Sequence, residues 1–251
     1  MCINNASTHS STSSSQSPLA PIVSDWQGCN VPSHTKMIGK WGYLDPIRSC
    51  QHVAQLCESF QGDDRMWDYL PYGPFSDVAE YQDWMIATCM GSDPQFYAII
   101  DTHTQSALGV ASYLRMVPVH GVIEVGHLAF SRSLRQTILA TECMYLMMKR
   151  IFDLGYRRYE WKCNALNGPS RSAAERIGMT FEGVFRQMQV TKGRNRDTAW
   201  YSIIDTEWPA VQAGFQAWLD DANFDEQGCQ RRTLRDFINE KKNILTGRIN
   251  S

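Results

Sequence analysis

The chain reads as an α+β protein: a mixed, twisted sheet with helices on both faces and one central pair of parallel strands. Three observations carry that expectation. Between Gln95 and Phe130 three strand-like runs follow one another across short connections, the mark of an antiparallel meander. Between Gly121 and Cys163 a helical stripe separates two strands, and a right-handed crossover returns the second beside the first in parallel. After Gly178 two further strands close as a hairpin.

Taken in order, the first 18 residues are rich in Ser, Thr and Asn, without Lys, Arg or an apolar run, so residues 1–24 are expected as a disordered tail. One folded domain should span 25–220, with 221–251 a C-terminal extension. Trp41 to Leu44, ahead of Pro46, reads as an edge strand. Ile47, Val53, Leu56 and Phe60 form a helical stripe within Pro46–Phe60. Asp63 to Phe75 is an aromatic loop broken by Pro and Gly. Ser76 then opens a helix whose first turn holds Asp77 and Glu80, where the helix dipole favours acids. Strands follow over Gln95–Ile100, Ala107–Val117 and Gly121–Phe130. Met144, Met147, Met148, Ile151 and Phe152 mark a helix from Ala140 that ends at Leu154-Gly155. Tyr159–Cys163 is the returning strand. Asn167-Gly168-Pro169-Ser170 starts a helix that ends at Gly178, ahead of the hairpin. Thr206 caps a last helix with Pro209 in its first turn and Val211, Phe215, Trp218 and Leu219 on one face. Arg231 to Lys242 is a polar, helix-compatible piece without a functional assignment.

Composition excludes several classes. With a net charge of −2 and no basic tract, a nucleic-acid surface is not expected. No apolar run approaches the roughly 20 residues that cross a bilayer. The 8 cysteines are scattered without a C-x-x-C pair, which favours free thiols in a reducing cytoplasm and neither a disulfide framework nor a metal site. A Gly-x-Ser-x-Gly elbow is absent, and no Cys sits in a nucleophile motif.

The segment Arg158–Ile204 holds the most specific pattern. Asn167-x-x-Ser170, Ala174-Glu175-Arg176-Ile177-Gly178-Met179 and Phe181-Glu182-Gly183 resemble the C-terminal half of the GNAT acetyltransferases, closest to their branch related to ribosomal-protein alanine N-acetyltransferases. The resemblance extends over roughly Trp41 to Trp218 and implies the GNAT fold with a splayed parallel pair. It also implies an acetyl-CoA-dependent N-acetyltransferase that passes the acetyl group directly to a primary amine, in our reading a small molecule.

Coenzyme A pyrophosphate would then rest on backbone N–H groups at a helix start. The corresponding stretch is Arg135-Gln136-Thr137-Ile138-Leu139-Ala140-Thr141-Glu142; Arg135, Ala140 and the following Thr-Glu match, while Gln136 and Ile138 stand where relatives carry glycine. Isoleucine at positive φ would be strained, so the loop either takes another conformation or binds the cofactor less well. Arg132 and Arg135 could compensate by pairing with phosphate. The family places the acyl carbonyl on a backbone N–H of the first parallel strand, here Leu128 or Ala129 with Phe130 following, and the pantetheine near Asn164 and Asn167. Ser170 is the expected proton donor to the leaving thiolate, because the tyrosine many members use is Ala174 here; Asn167 and Ser170 would equally suit a helix cap.

For the base, Glu124 and His127 lead, although strand alternation separates them unless a bulge intervenes. Glu160 and Lys162 share a strand face and suit a structural ion pair. Trp67, Asp68, Tyr69, Tyr72 and Phe75 are expected to wall the acceptor pocket against Trp200 and Tyr201, with Trp161 alongside; an aromatic box with an acid suits a cationic or apolar amine. Lys192 to Asp197 reads as a solvated turn or, alternatively, an anion contact with substrate or cofactor. Two other readings stay open: a GNAT-fold binding or regulatory module that has lost coenzyme A, and the same fold with O-acylation or a CoA-independent reaction.

Overall fold

The computed structural model describes residues 19–245. Most of the expected tail thus lies outside the described residues, and residues 19–24 contain neither helix nor strand. Among these residues eight strands form one sheet: β1 (Met37–Ile38), β2 (Gly42–Pro46), β3 (Gln95–Asp101), β4 (Ala107–Val117), β5 (Val122–Phe130), β6 (Arg158–Asn164), β7 (Thr180–Thr191) and β8 (Arg194–Ile204). Their spatial order is β1-β2-β3-β4-β5-β6-β8-β7. Only β5 and β6 are parallel; every other neighbour is antiparallel. The meander, the crossover and the hairpin stand as the sequence predicts, and the architecture is the expected α+β one.

Among the described residues six α-helices cover the sheet: α1 (Val53–Phe60), α2 (Val78–Cys89), α3 (Ile138–Asp153), α4 (Gly168–Arg176), α5 (Trp208–Trp218) and α6 (Leu234–Leu245). They divide the core into two layers. On one face, α1 and α2 bury Leu56, Phe60, Tyr81 and Met85 against Phe96, Ala98, Ile100 and Val110. On the other, α3 and α5 bury Met147, Ile151, Val211 and Phe215 against Tyr97, Tyr113, Tyr159 and Ile203. Strand alternation explains the split, since neighbours such as Phe96 and Tyr97 must point to opposite faces. The unassigned polar piece near the C-terminus becomes α6, which packs against α5 through buried Leu234 and Ile238. Gly214 permits that approach, because a Cβ there would meet the Ile238 backbone at 2.8 Å.

Some boundaries differ from expectation. The edge is the two-residue β1, and β2 lies inside it. The stripe after Pro46 becomes helical only from Cys50, first as a 3₁₀ turn, because Pro46 still pairs with β3. Asp77, not Ser76, caps α2: its Oδ1 accepts from Glu80 N at 2.9 Å, while Glu80 Oε2 accepts from Ser76 N at 2.6 Å. That reciprocal pair is a capping box shifted by one residue. Likewise α5 is preceded by Glu207, whose carboxylate accepts from Ile204 N, and Thr206 does not cap it.

Two features of the sheet shape its centre. The parallel ladder runs from Val122↔Arg158 to Val125↔Trp161 and stops, although both strands continue. Beyond Trp161 the strands separate, β5 staying with β4 and β6 with β8. Second, a bulge in β5 stands at the gap. In β5 the partners jump from Ser112↔Gly126 to Val110↔Ala129 around His127, at φ +51. Arg115 of β4 (φ +49) and Gln187 of β7 (φ +52) sit at similar shifts. A bulge re-aims the side chains around it, and the one at His127 lies just past Val125, where the parallel ladder ends.

Candidate active site in the opening between the parallel strands

The opening is a cavity of about 470 Å³. Glu124, His127, Leu128, Trp161, Asn164, Asn167, Ser170 and Trp200 all line it, as does Tyr69. The bulge resolves the alternation problem: Glu124 and His127 would face apart on a regular strand, yet both reach this cavity.

Glu124 and Lys162 are almost fully enclosed, with side chains 6% and 7% exposed. Lys162 Nζ lies 2.9 Å from Glu124 Oε2 and 2.8 Å from Glu160 Oε2, and 3.7 Å from the centre of the Trp200 ring. Arg115 adds a second cation on Glu124 at 3.1 Å, and Arg158 pairs with Glu160 at 2.7 Å. Glu160 with Lys162 is therefore the ion pair that strand geometry suggests, extended across the parallel ladder. Burial holds the Glu124 carboxyl above its ordinary pKa even against the pull of Lys162 and Arg115.

His127 is pushed the opposite way. Burial, with Arg115 and Arg196 nearby, lowers its pKa to about 4, so the ring is neutral near pH 7. It stacks on Tyr72 at 5.7 Å and its Nδ1 is 3.2 Å from the Tyr72 hydroxyl. Phe96 packs on it as well, at 4.9 Å.

Asn167 caps α4, its Oδ1 accepting from Ser170 N at 3.1 Å. The Ser170 hydroxyl accepts from Trp161 Nε1 at 3.0 Å and lies beside the Cys163 thiol. With an oxygen lone pair held by the indole, the O–H hydrogen can point elsewhere. Capping and a place in the cavity thus coexist, on different atoms. Asn164 Oδ1 accepts from Leu166 N at 2.9 Å and fixes the turn into α4.

The loop before α3 does not carry the strain expected of it. Positive φ falls on Gln136 (+61) alone; Ile138 is the first residue of α3. An unbranched residue tolerates that conformation better than isoleucine, so the strain argued for Ile138 does not arise. Thr137 caps Ala140 N at 3.1 Å, and the N–H groups of Ile138 and Leu139 belong to the first turn, which has no intrahelical partners to offer them. Leu139, Ala140 and Thr141 turn their side chains inward and are buried, so only their backbone could serve a ligand. Arg132 and Arg135 are engaged by protein: Arg135 pairs with Asp63 at 2.6 Å and donates to Phe130 O, and Arg132 donates to Gly62 O at 2.6 Å. Both tie the end of α1 to the loop before α3. Ala129 is buried and Phe130 half-buried beside it.

The aromatic loop divides. Tyr69 lines the cavity, together with Met66, Leu70 and Pro71, and its hydroxyl donates to Leu166 O at 3.2 Å. Tyr72 reaches the site only through His127. Trp67 is buried 5.4 Å from Phe60 and 5.3 Å from Phe75 and does not line the cavity. Tyr201 lies on the opposite face, bonded to Arg171 and Glu175. Trp161 and Trp200 do line it.

Among the polar lining residues, sequence reasoning did not single out Arg115, Gln189 or Thr198, and met Arg196 only within the Lys192–Asp197 segment, read as a solvated turn or an anion contact. For two of them the signal existed. Counting by twos along β8 from Trp200 reaches Thr198 and Arg196, which must share its face.

The cavity fits a coenzyme A arm physically. Splayed strands expose backbone groups that a ladder would otherwise use, and the start of α4, with Asn167 and Ser170, lines the opening. Comparison with known proteins agrees. Residues 43–180 match the model of the acetyltransferase (GNAT) domain family. Among solved structures, a GCN5-related N-acetyltransferase from Brucella melitensis is 39% identical, with a TM-score of 0.84, over 86% of this chain and 99% of that one. A probable acetyltransferase (GNAT family) from Chromobacterium violaceum is 41% identical, with a TM-score of 0.73, over 77% and 98%. A ribosomal L7/L12 α-N-protein acetyltransferase in complex with coenzyme A shares the fold at 18% identity and a TM-score of 0.55, over 66% and 96%. No curated protein matches the sequence. The chain belongs to the GNAT acetyltransferases, enzymes that take their acetyl group from acetyl-CoA.

Proposed function

We propose that the chain acetylates the primary amine of a small molecule, by direct transfer within the cavity between β5 and β6. The observation that carries this is the joint presence there of a neutral His127, Glu124 and Ser170, at the point where the parallel ladder ends. Acetyl-CoA supplies a thioester, activated toward an amine. The protein must then deprotonate the amine, hold the carbonyl oxygen and return a proton to sulfur.

His127 is the base we favour. Its neutral imidazole can accept a proton at pH 7, whereas Glu124 already has two cations on it. A pKa near 4 makes it a weak base, suited to relaying a proton through water from an amine that arrives partly neutral. Ser170 donates at the thiolate sulfur, its oxygen positioned by Trp161. The bulge leaves His127 and Leu128 outside the β4 register, so the N–H of Leu128 is the candidate for the carbonyl oxygen. Leu139, Ile138 and Gln136 would serve the pyrophosphate through their backbone.

A small acceptor suits the closure of the site. Lys192 Nζ of the hairpin donates to Trp67 O at 2.8 Å, and Tyr69 reaches Leu166 O, so two bridges span the acceptor side. A protein N-terminus would have to displace them. The free thiols fit a cytoplasmic enzyme.

Calorimetry with coenzyme A, then thiol release from acetyl-CoA over an amine panel, tests the proposal. Ser170→Ala should lower kcat by about 10²- to 10³-fold with little change in coenzyme A affinity. Absence of coenzyme A binding would refute the function; unaltered kcat in Ser170→Ala would refute the role of that hydroxyl.

A further inference from the structure

The wall of the cavity formed by β8 contains polar atoms with nothing to bond. Arg196, Thr198 and Trp200 alternate along the strand and share the face that carries Lys162. Arg196 Nε, Thr198 Oγ1 and Trp200 Nε1 are all shielded from solvent, and none has a hydrogen-bond partner. Thr198 is 4% exposed. Arg196 also takes part in no ion pair among the described residues, although Asp197 is adjacent; that carboxylate turns away to Gln187 N and Asn195. The nearest acid in the cavity, Glu124, is occupied by Lys162 and Arg115.

Buried donors without acceptors are costly, and a guanidinium more so than a neutral group. Such a set persists where a ligand completes it. The charge balance points the same way: of the cations lining the cavity, Arg115 pairs with Glu124 and Lys162 with Glu124 and Glu160, which leaves Arg196 in excess. That lining repels a second cation and disfavours the simple cationic amine expected from the aromatic loop.

Resting on the acetyltransferase function proposed above, we infer that the acceptor is an amine carrying an anionic oxygen group, a carboxylate or a phosphate, which Arg196 binds with Thr198 and Trp200 beside it. The planar fork of an arginine pairs with two oxygens of either group. The group sits at the hairpin side of the cavity, leaving the amine toward His127.

The transferase function is scored first, as calorimetric binding of coenzyme A to the full chain. Thiol release then gives kcat/KM within matched pairs: glycine and longer ω-amino acids against their amides, and phosphoethanolamine against ethanolamine. The anionic member of at least one pair should be better by about tenfold to a hundredfold. Its amine is the more strongly protonated, so amine ionisation works against that preference. In Arg196→Met the anionic member should fall to the level of its neutral partner. Equal or better use of the neutral members by the wild type overturns the inference, as does an Arg196→Met variant that lowers both members alike.

A binding measurement covers the case of slow turnover. The Arg196 Nε–H resonance, assigned with Arg196→Lys, is followed in coenzyme A-loaded protein as N-acetylglycine, N-acetylphosphoethanolamine or N-acetylglycinamide is added. A shift with an anionic probe and none with the amide supports the site, and which anion acts tells carboxylate from phosphate. Coenzyme A binding without any anion-specific shift or preference overturns the inference and leaves the transferase function standing. Failure to bind coenzyme A defeats both.

Discussion

Replacing Lys162 by methionine tests how the centre of the sheet is held. Glu124 and Glu160 sit directly opposite one another across the parallel ladder, and Lys162 Nζ bridges them at 2.9 and 2.8 Å. Without it, two enclosed carboxylates face each other with Arg115 on one and Arg158 on the other. At roughly 5 Å and an effective dielectric of about 20, two like charges repel by ~3 kcal/mol. Removing one partner from a buried ionic group costs about 3–5 kcal/mol in other proteins, so a loss of ~3 kcal/mol at pH 7 is expected. Methionine keeps the stem volume, which leaves the charge as the main change.

The pH dependence follows with a definite sign. Glu124 has a raised pKa in the folded chain, so its contribution to stability is fullest below the unfolded carboxyl pKa and is lost as pH rises through the folded value. Lys162 is the strongest of the influences pulling that pKa down. Its removal raises the folded value further and enlarges the loss at neutrality. Lys162→Met should therefore cost less at pH 5 than at pH 7, and adding Glu160→Gln should recover much of it. Urea denaturation of the wild type, the single and the double variant at both pH values measures this. A cost below about 1 kcal/mol at pH 7, or one equal at both pH values, would refute the reasoning.

Three other outcomes are expected. Gln136→Ile should destabilise by about 1–2 kcal/mol, because a β-branched residue would have to hold φ near +61, while Gln136→Gly should not; thermal denaturation distinguishes them. Glu142, buried in α3, accepts from Lys40 N at 2.6 Å, Trp41 N at 2.9 Å and Gly42 N at 3.2 Å, and Glu142→Gln should cost about 2–3 kcal/mol by turning an amide NH₂ toward N–H groups, as read from denaturant midpoints. His127 has a depressed pKa of about 4, so the unfolded chain binds more protons between about pH 4 and 6.5 and stability rises with pH across that window; His127→Gln should flatten the rise relative to wild type in urea titrations.

Elements whose signals are local were legible from sequence. The meander, the helix with its methionine stripe and the Asn167 cap need only neighbours a few residues away to declare themselves. Where expectation slipped, a distant partner decided. Pro46 stayed in β2 because β3, some fifty residues further on, pairs with it. Glu142 matched the family pattern but gave no sign of the three N–H groups it accepts from. An acid one turn into an apolar helix looks like a solvated face until the loop over Lys40 to Gly42 folds onto it.

The site shows the same division more sharply. Residue types at fixed spacing located Ser170, Asn167 and the strand that bears Glu124 and His127. A bulge, by contrast, has no reliable sequence mark, and whether His127 joins Glu124 depends on one extra residue in the register with β4. Arg132 and Arg135 show the converse case: arginines near a helix start suggest phosphate, and the structure adds a protein partner, Asp63, some seventy residues earlier, that sequence gives no sign of. Arg196 was hidden by its company, since a run from Lys192 to Asp197 looks like a solvated turn. Only the fold separates Arg196, half-buried on the cavity face of β8, from its exposed neighbours Lys192 and Arg194. Sequence proximity groups these charges; burial decides which of them has to find a ligand, and that quantity exists only once the sheet has formed.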